Sequence, residues 1–87
     1  MTEESALQFP CEFPIKMMGR DTTEFRLLAR KLVENHVGAI ADESVQAAVS
    51  RNARFVSVTV TITATSRQQL DDIYRDASSH DDVLMAL

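Results

Sequence analysis

An arginine next to a glycine is the most suggestive chemical feature of this sequence. Met18, Gly19, Arg20 and Asp21 follow one another where a first strand is expected to give way to a helix. A turn of this kind can hold a small anion, because a guanidinium group binds carboxylates and phosphates through charge-assisted hydrogen bonds. An ordinary strand-to-helix turn with Arg20 facing solvent is the simpler interpretation, because the signal comprises a single glycine and a single arginine.

A second pair of cations, Arg51 and Arg54, flanks a short polar segment between two candidate strands. Two guanidinium groups at one hairpin tip can grip a carboxylate or a phosphate through paired hydrogen bonds. More often, such arginines keep a hairpin soluble. Both interpretations stay open for this pair.

The remaining reactive side chains lack the partners that catalysis requires. Cys11 is the single cysteine, and its acidic neighbour Glu12 does not favour a thiolate. His36 falls at a helix end and His80 in a polar turn, and the spacing shows no carboxylate or thiol partner for either. One cysteine and four scattered methionines supply no thiolate pair for a soft metal. We therefore expect no catalytic residue, no metal site, no cofactor and no enzymatic activity.

Composition and charge favour one small domain of the cytoplasm. The 87 residues are 45% hydrophobic and 25% charged, which is ordinary for a folded protein. A net charge of -4 disfavours general binding to nucleic acids. The acidic start does not resemble a signal peptide, and no apolar run reaches the length of about 18 residues that a membrane span needs. We expect no membrane partner.

The elements that position the candidate residues follow from periodicity. Residues 1–6 are polar and are expected to be disordered, so that residues 7–87 form a single domain. Alternating apolar residues predict a first strand over 12–18. Pro14 should lie near the start of this strand or on an unpaired side, since proline donates no ladder hydrogen bond. Gly19 is expected to end the strand.

Two helices are predicted, each introduced by a capping signal. Asp21 with Glu24 has the spacing of a capping box for the first helix, and Gly38 is placed to end it. Ser66 with Gln69 has the same spacing for the second helix. Apolar residues at helical spacing give each helix one stripe that should be buried. These residues are Phe25, Leu28, Ala29, Leu32, Val33 and His36 in the first helix, and Leu70, Ile73, Tyr74 and Ala77 in the second.

Three more strands complete the pattern. Residues 45–49 alternate weakly, whereas residues 55–64 alternate throughout between core-type and mostly hydroxyl-bearing side chains. The short polar interval 51–54 makes these two strands a hairpin. Residues 83–87 are expected to form a fourth strand that directs Val83, Met85 and Leu87 to the core.

This order of elements predicts an α+β, ferredoxin-like (ACT-like) βαββαβ sandwich. A four-stranded antiparallel sheet would carry both helices on one face and leave the other face uncovered. A solvated face is the simplest interpretation of its hydroxyl groups, and a dimer or partner surface is the alternative. RNA binding is disfavoured, because only one aromatic residue, Phe55, is a candidate for stacking on bases. The residues assigned to the uncovered face are Pro14, Lys16, Met18, Gln46, Ala48, Ser50, Ser57, Thr59, Thr61, Thr63, Leu84 and Ala86.

Three segments, LQFPCEFPIKMMG, SRNARFVSVTVTITATSRQQLDDIY and DDVLMAL, resemble the YbeD-like family of small bacterial proteins of unknown function. The patterns FP-x-x-FP-x-K-x-MG and S-V-T-x-T-x-x-A-T carry the resemblance, which covers nearly the whole chain after Leu7. It implies a fold similar to the ACT-type regulatory domains that sense amino acids in metabolic enzymes, and no established activity. In ACT-type domains the ligand sits where the turn between strand one and helix one meets a neighbouring subunit, which here matches 18–21.

The residues and the resemblance together predict a non-enzymatic regulatory or binding module. We expect it to act through protein association, as a homodimer or on a metabolic enzyme, and to bind a small anionic ligand near Gly19 and Arg20. Two alternatives stay open: a small hydrolase of the acyl-phosphate type that holds its substrate with Arg20, and a purely structural protein whose sheet docks one partner. The expected contact residues are Met18, Gly19, Arg20, Asp21, Arg51, Arg54, Ser57, Thr59 and Thr61.

Overall fold

A computed structural model describes residues 7–87, so the predicted disordered terminus, residues 1–6, lies outside the described residues. In chain order the elements are β1 (Cys11–Arg20), α1 (Thr23–Val37), a 3₁₀ turn (Asp42–Ser44), β2 (Val45–Val49), β3 (Phe55–Ala64), α2 (Arg67–Ser78) and β4 (Met85–Ala86).

The four strands form one antiparallel sheet in the order β2-β3-β1-β4, and both helices pack on the same face of it. The predicted ferredoxin-like βαββαβ fold is therefore confirmed. The core lies between this face and the helices. It consists of Ile15, Met17, Phe25, Ala29, Leu32, Val33, Ile40, Val56, Val58, Val60, Ile62, Ala64, Leu70, Ile73 and Ala77.

The two central strands pair over their whole length. The ladder runs from Cys11 opposite Ala64 to Arg20 opposite Phe55. β1 is therefore longer than the predicted 12–18. Its alternation continues through Gly19, which is buried inside the strand, so the expectation that this glycine ends the strand is wrong.

Gly19 is needed for packing space. A Cβ atom built on it would lie 2.6 Å from the backbone oxygen of Asp82 and 2.6 Å from a ring carbon of Phe25. The absent side chain thus lets the first turn of α1 and the loop before β4 both approach the end of β1. This contact places three separate segments of the chain at one corner of the sheet.

The cap of α1 lies one residue later than predicted. Thr22 is the N-cap, because its Oγ1 accepts a hydrogen bond of 2.9 Å from the backbone N–H of Phe25. The backbone N–H of Asp21 instead donates to the carbonyl of Arg54 at 2.9 Å, which extends the sheet by one residue. Predicted caps elsewhere are confirmed. Gly38 ends α1 with φ of 87°, and Ser66 caps α2.

β4 is shorter than predicted and faces the opposite way. Its ladder comprises only Met85–Ala86, with Met85 opposite Met18 and Ala86 opposite Met17. Residues directly opposite one another share a face of the sheet. Ala86 therefore faces the helix side and Met85 faces the uncovered side, which reverses the prediction for these two residues. Val83, which precedes the ladder, packs against the core as predicted.

The outer edges of the sheet differ from one another. Lys16 exchanges two backbone hydrogen bonds with Leu87, so alternate residues of β1 direct their backbone groups toward β4. The backbone nitrogen of Pro14, which has no hydrogen to donate, faces the same edge beyond the end of the β4 ladder. This agrees with the predicted place on an unpaired side of the strand. At the other edge, Ala47 and Val49 of β2 face the helix side yet remain exposed, because neither helix covers this strand.

Replacing Gly19 tests whether packing space or backbone freedom selects the glycine. Gly19→Ala is expected to lower the free energy of unfolding by about 1–3 kcal/mol, because the new methyl group overlaps the Phe25 ring and the Asp82 carbonyl. Urea denaturation measures this difference. A double variant that also carries Phe25→Leu should cost less than the sum of the two single variants, since the smaller side chain relieves the overlap.

Gly38→Ala is the matched control. Nothing lies within 4 Å of a Cβ atom at Gly38, whose φ of 87° leaves only backbone strain of about 1 kcal/mol. Its effect should add to that of Phe25→Leu without coupling. Strict additivity of Gly19→Ala and Phe25→Leu would contradict the role given to Gly19.

Candidate functional site

A cleft of about 340 Å³ opens at the corner where β1 ends, α1 begins and the chain approaches β4. This volume is at the lower end of the range for small-molecule sites. Gly19 lies beneath the cleft, since its two closest neighbours, Phe25 and Asp82, belong to the lining. The lining residues are Arg20, Thr22, Phe25, Asp81, Asp82 and Leu84.

The cleft carries charges of both signs. Arg20 supplies the cation, and Asp81 and Asp82 supply two carboxylates. Within residues 7–87 none of the three takes part in a salt bridge. The Arg20 guanidinium carbon stands 5.7 Å from the centre of the Phe55 ring, a cation–π contact that steadies a side chain at the surface.

One cation beside two carboxylates makes the cleft more favourable for some small ligands than for others. A ligand with both a carboxylate and an ammonium group finds an opposite charge for each. A phosphate or acyl phosphate meets two carboxylates in addition to its one cation, and like charges close together are unfavourable. The cleft therefore suits a zwitterion better than a simple anion.

Asp21 has a structural task at the start of α1. Its two carboxylate oxygens accept hydrogen bonds from Arg26, with Nε at 2.8 Å and Nη2 at 3.0 Å. This pairing lowers the pKa of Asp21, chiefly through the hydrogen bond from Arg26. The predicted turn residues therefore separate: Arg20 lines the cleft, Gly19 supports it, and Asp21 is engaged elsewhere.

Met18 joins a different surface. It lies on the uncovered face opposite Ser57, and Lys16 and Pro14 lie opposite Thr59 and Thr61. The three predicted contacts of β3 thus form a half-buried row next to the face residues of β1. This row is separate from the cleft, so the predicted contact residues belong to two surfaces.

The hairpin tip lies at the same end of the sheet as the cleft. Arg51 and Arg54 are both exposed, and the tip is shaped by Asn52, whose side-chain oxygen accepts from the Arg54 N–H at 3.4 Å. Since the carbonyl of Arg54 accepts from the N–H of Asp21, the tip is fastened to the end of β1.

Sequence reasoning missed most of the cleft. Asp81 and Asp82 follow Arg20 by 61 and 62 residues in the chain, and only the pairing of β4 with β1 brings them to the same cleft. The available signal was topological: in a βαββαβ fold the start of the fourth strand neighbours the end of the first. By themselves, two adjacent aspartates after His80 indicate only a polar turn.

The histidines also have a partner that was not expected. His36 Nε2 lies 2.9 Å from Asp76 Oδ2, and His80 Nε2 lies 3.5 Å from Asp76 Oδ1. The expectation that neither has a carboxylate partner is wrong, and the four-residue spacing of Asp76 and His80 on one helix was a signal for it. This cluster joins the ends of α1 and α2.

Across residues 7–87, no three histidine, cysteine, aspartate or glutamate side chains are grouped closely enough to hold a metal ion. Neither helix of the described chain has the length and apolar character to cross a membrane.

Comparisons with known proteins agree with the fold and with the resemblance. The model of the DUF493 family, described as protein of unknown function, matches residues 4–87. A UPF0250 protein of Nitrosomonas europaea is 40% identical over 87 residues, which is 100% of both chains. One of Chromobacterium violaceum is 41% identical over 85 residues, which is 98% of this chain and 96% of that relative.

A solved structure adds a likeness in fold alone. The solution structure of protein HP0495 from H. pylori matches with a TM-score of 0.73 at 18% identity, over 93% of this chain and 85% of that chain.

The Asp21–Arg26 pair predicts a specific dependence of stability on pH. Because the folded-state pKa of Asp21 is below the ordinary value of 3.8, the pair stabilises the fold above that value and loses its effect as the pH falls through the lower folded-state pKa. Asp21→Asn is expected to flatten this part of the acid transition, which thermal unfolding at a series of pH values measures.

Asp72→Asn is the control, since it removes another exposed carboxylate that binds an arginine, Arg75 at 3.2 Å. It should leave the contribution of Asp21 in place. An Asp21→Asn variant with the unaltered acid dependence would contradict the role of this pair in α1.

Proposed function

Because the chain belongs to the DUF493 family, the YbeD-like family that its motifs resemble, we propose that it is a non-enzymatic regulatory module that acts through protein association and responds to a small ligand. The single observation that carries the proposal is the cleft above Gly19, which is lined by Arg20 together with Asp81 and Asp82. The ligand class it favours is an amino acid.

An amino acid is complementary to this cleft in three respects. Its carboxylate is the anionic group that Arg20 binds, and its ammonium group is attracted to Asp81 or Asp82. Its side chain lies against the apolar wall formed by Phe25 and Leu84. The contacts come from the end of β1, the start of α1 and the segment before β4, so a bound ligand joins these three parts of the chain.

The ligand is linked to association through β4. Asp81, Asp82 and Leu84 lie in the segment that leads into β4, whose ladder comprises two residues. Leu84, Met85 and Leu87 are 60%, 51% and 61% exposed, so this edge of the sheet presents apolar surface to a partner. A ligand that fixes the segment changes the affinity for that partner, and by linkage the partner changes the affinity for the ligand.

The partner in this proposal is a second copy of the chain or a metabolic enzyme. The cytoplasm is its proposed location, where the lone thiol of Cys11 stays reduced. The acyl-phosphate hydrolase receives no support from the cleft, because two carboxylates repel such a substrate next to Arg20. A purely structural role leaves the charges of the cleft without a purpose.

Thermal unfolding in the presence of individual amino acids tests the ligand. At least one amino acid is expected to raise the midpoint by roughly 6–11 °C at about ten times its Kd, because it binds only the folded state. Acetate and inorganic phosphate, which lack an ammonium group, should have no such effect. Arg20→Ala and Asp82→Asn should each abolish the shift.

Arg75→Ala is the matched control, since it removes an exposed arginine of α2 that is not part of the cleft. It should keep the full shift. A screen without a stabilising amino acid, or a shift that survives in both cleft variants, would reject the proposed ligand site.

Light scattering tests association separately. If the partner is a second copy, the average mass is expected to rise toward that of a dimer with protein concentration, and the active amino acid should move the midpoint of this rise. Leu84→Ser with Met85→Ser should keep the chain monomeric. A strict monomer at all concentrations, with and without amino acids, rejects the homodimer.

A further inference from the structure

The uncovered sheet face carries a charge opposite to that of the whole molecule. Lys16 and Arg20 project from β1 on this face, and the hairpin adds the exposed Arg51 and Arg54 at its end. Among the described strand residues, the only acidic one that the register assigns to this face is Glu12, at the opposite end of β1. The net charge of the chain is nevertheless -4, so its acidic residues are concentrated elsewhere.

The positive charges of this face differ in their ion pairing from those of the helix side. On the helix side Arg26, Arg30 and Arg75 each bind at least one carboxylate. In contrast, no salt bridge within residues 7–87 involves the four cations of the sheet face and hairpin. Their charge is therefore available to a partner.

The same face has a groove. Two shallow depressions of about 260 Å³ and 270 Å³ share Ala48 and Ser57, which lie directly opposite one another on β2 and β3. Because Ala48 and Ser57 both have small side chains, they form the floor of a groove between larger neighbouring side chains. Lys16 borders the first depression, and Met18 and Phe55 border the second.

We propose that this sheet-face groove binds an extended acidic segment of a partner protein. The proposal rests on the association part of the proposed function and names the chemistry of the partner. Lys16 and Arg20 are four residues apart on one face of a strand, which separates them by about 13 Å. An extended segment places acidic side chains at the same spacing when they are also four residues apart.

The residue midway between those acids meets the floor of the groove. It lies over Ala48 and Ser57 and beside Met18, so an apolar side chain fits there. The recognised pattern is acid, any residue, apolar, any residue, acid, in extended conformation. The hydroxyl groups of Ser57 and Thr59 are within the groove and are able to bond to the backbone of such a segment.

A protein segment fits this face better than a nucleic acid. The overall negative charge raises the cost of approach of a polyphosphate. Phe55, the one aromatic residue that the described strands place on this face, is covered by the guanidinium of Arg20 and offers no platform for stacked bases.

Fluorescence anisotropy with a labelled peptide tests the proposal. The probe contains two copies of Glu-Thr-Leu-Thr-Glu, and a reference peptide has Gln at each Glu. We expect the acidic probe to bind, to weaken as salt is added, and to bind at least about tenfold more tightly than the Gln peptide. Lys16→Glu should weaken the acidic probe by about tenfold, because a like charge then faces the peptide.

Lys31→Glu is the matched control, with the same change of charge at an exposed position of α1. It should change the affinity by no more than about twofold. Ala48→Leu fills the floor without changing the charge, and it should weaken binding while urea denaturation shows the fold retained. Equal losses in the two charge variants, equal binding of the Gln peptide, or tighter binding of a single-stranded oligonucleotide of equal charge would each overturn the proposal.

The two proposals fail separately. Neither Lys16 nor Ala48 lines the amino-acid cleft, so both variants should keep the thermal shift by amino acids. A lost peptide interaction with an intact shift rejects the acidic partner alone. A retained peptide interaction without any shift rejects the ligand alone.

Discussion

The close approach at Gly19 is the contact on which the arrangement of this molecule depends. Only a residue without a side chain admits the Phe25 ring and the Asp82 carbonyl to the same point of β1. The contact with the Phe25 ring fixes where α1 leaves the sheet, and the contact with the Asp82 carbonyl fixes how the chain returns toward β4. The cleft exists because these two segments meet above a buried glycine, so the packing of the core and the shape of the site have one cause.

Long-range pairing explains which features were predictable. The alternation of β3 is continuous over ten residues, and Ser66 and Gly38 act through local hydrogen bonds, so the sequence alone was sufficient for them. The start of α1 was not predictable, because Asp21 and Thr22 are both good caps and the hydrogen bond from Asp21 to Arg54 decides between them. In β4 every side chain is apolar, so only pairing with β1 determines which face each one takes.

The candidate site likewise contains one residue that local sequence indicates and two that only long-range pairing brings to it. Arg20 could be identified from its neighbours in sequence, since a glycine and an aspartate flank it. Asp81 and Asp82 could not, because a pair of aspartates in a turn is common and its meaning depends on what the fold places beside it. Arg20 lies between two surfaces: it lines the cleft, and it stands over Phe55 at the end of the sheet face. One guanidinium group is therefore in reach of both the proposed ligand and the proposed partner.

The unequal edges of the sheet limit how these molecules can assemble. Pro14 removes a donor from the edge beyond β4, whereas β2 has neither a proline nor a charged residue between Val45 and Val49. Edge-to-edge addition of strands is thus obstructed on one side and unobstructed on the other. A molecule with a single permissive edge adds strands only there, whereas the association proposed above uses the apolar side chains at β4 and not strand addition. Sheet extension then stops at two molecules, and the fibre that two permissive edges would propagate has no way to grow.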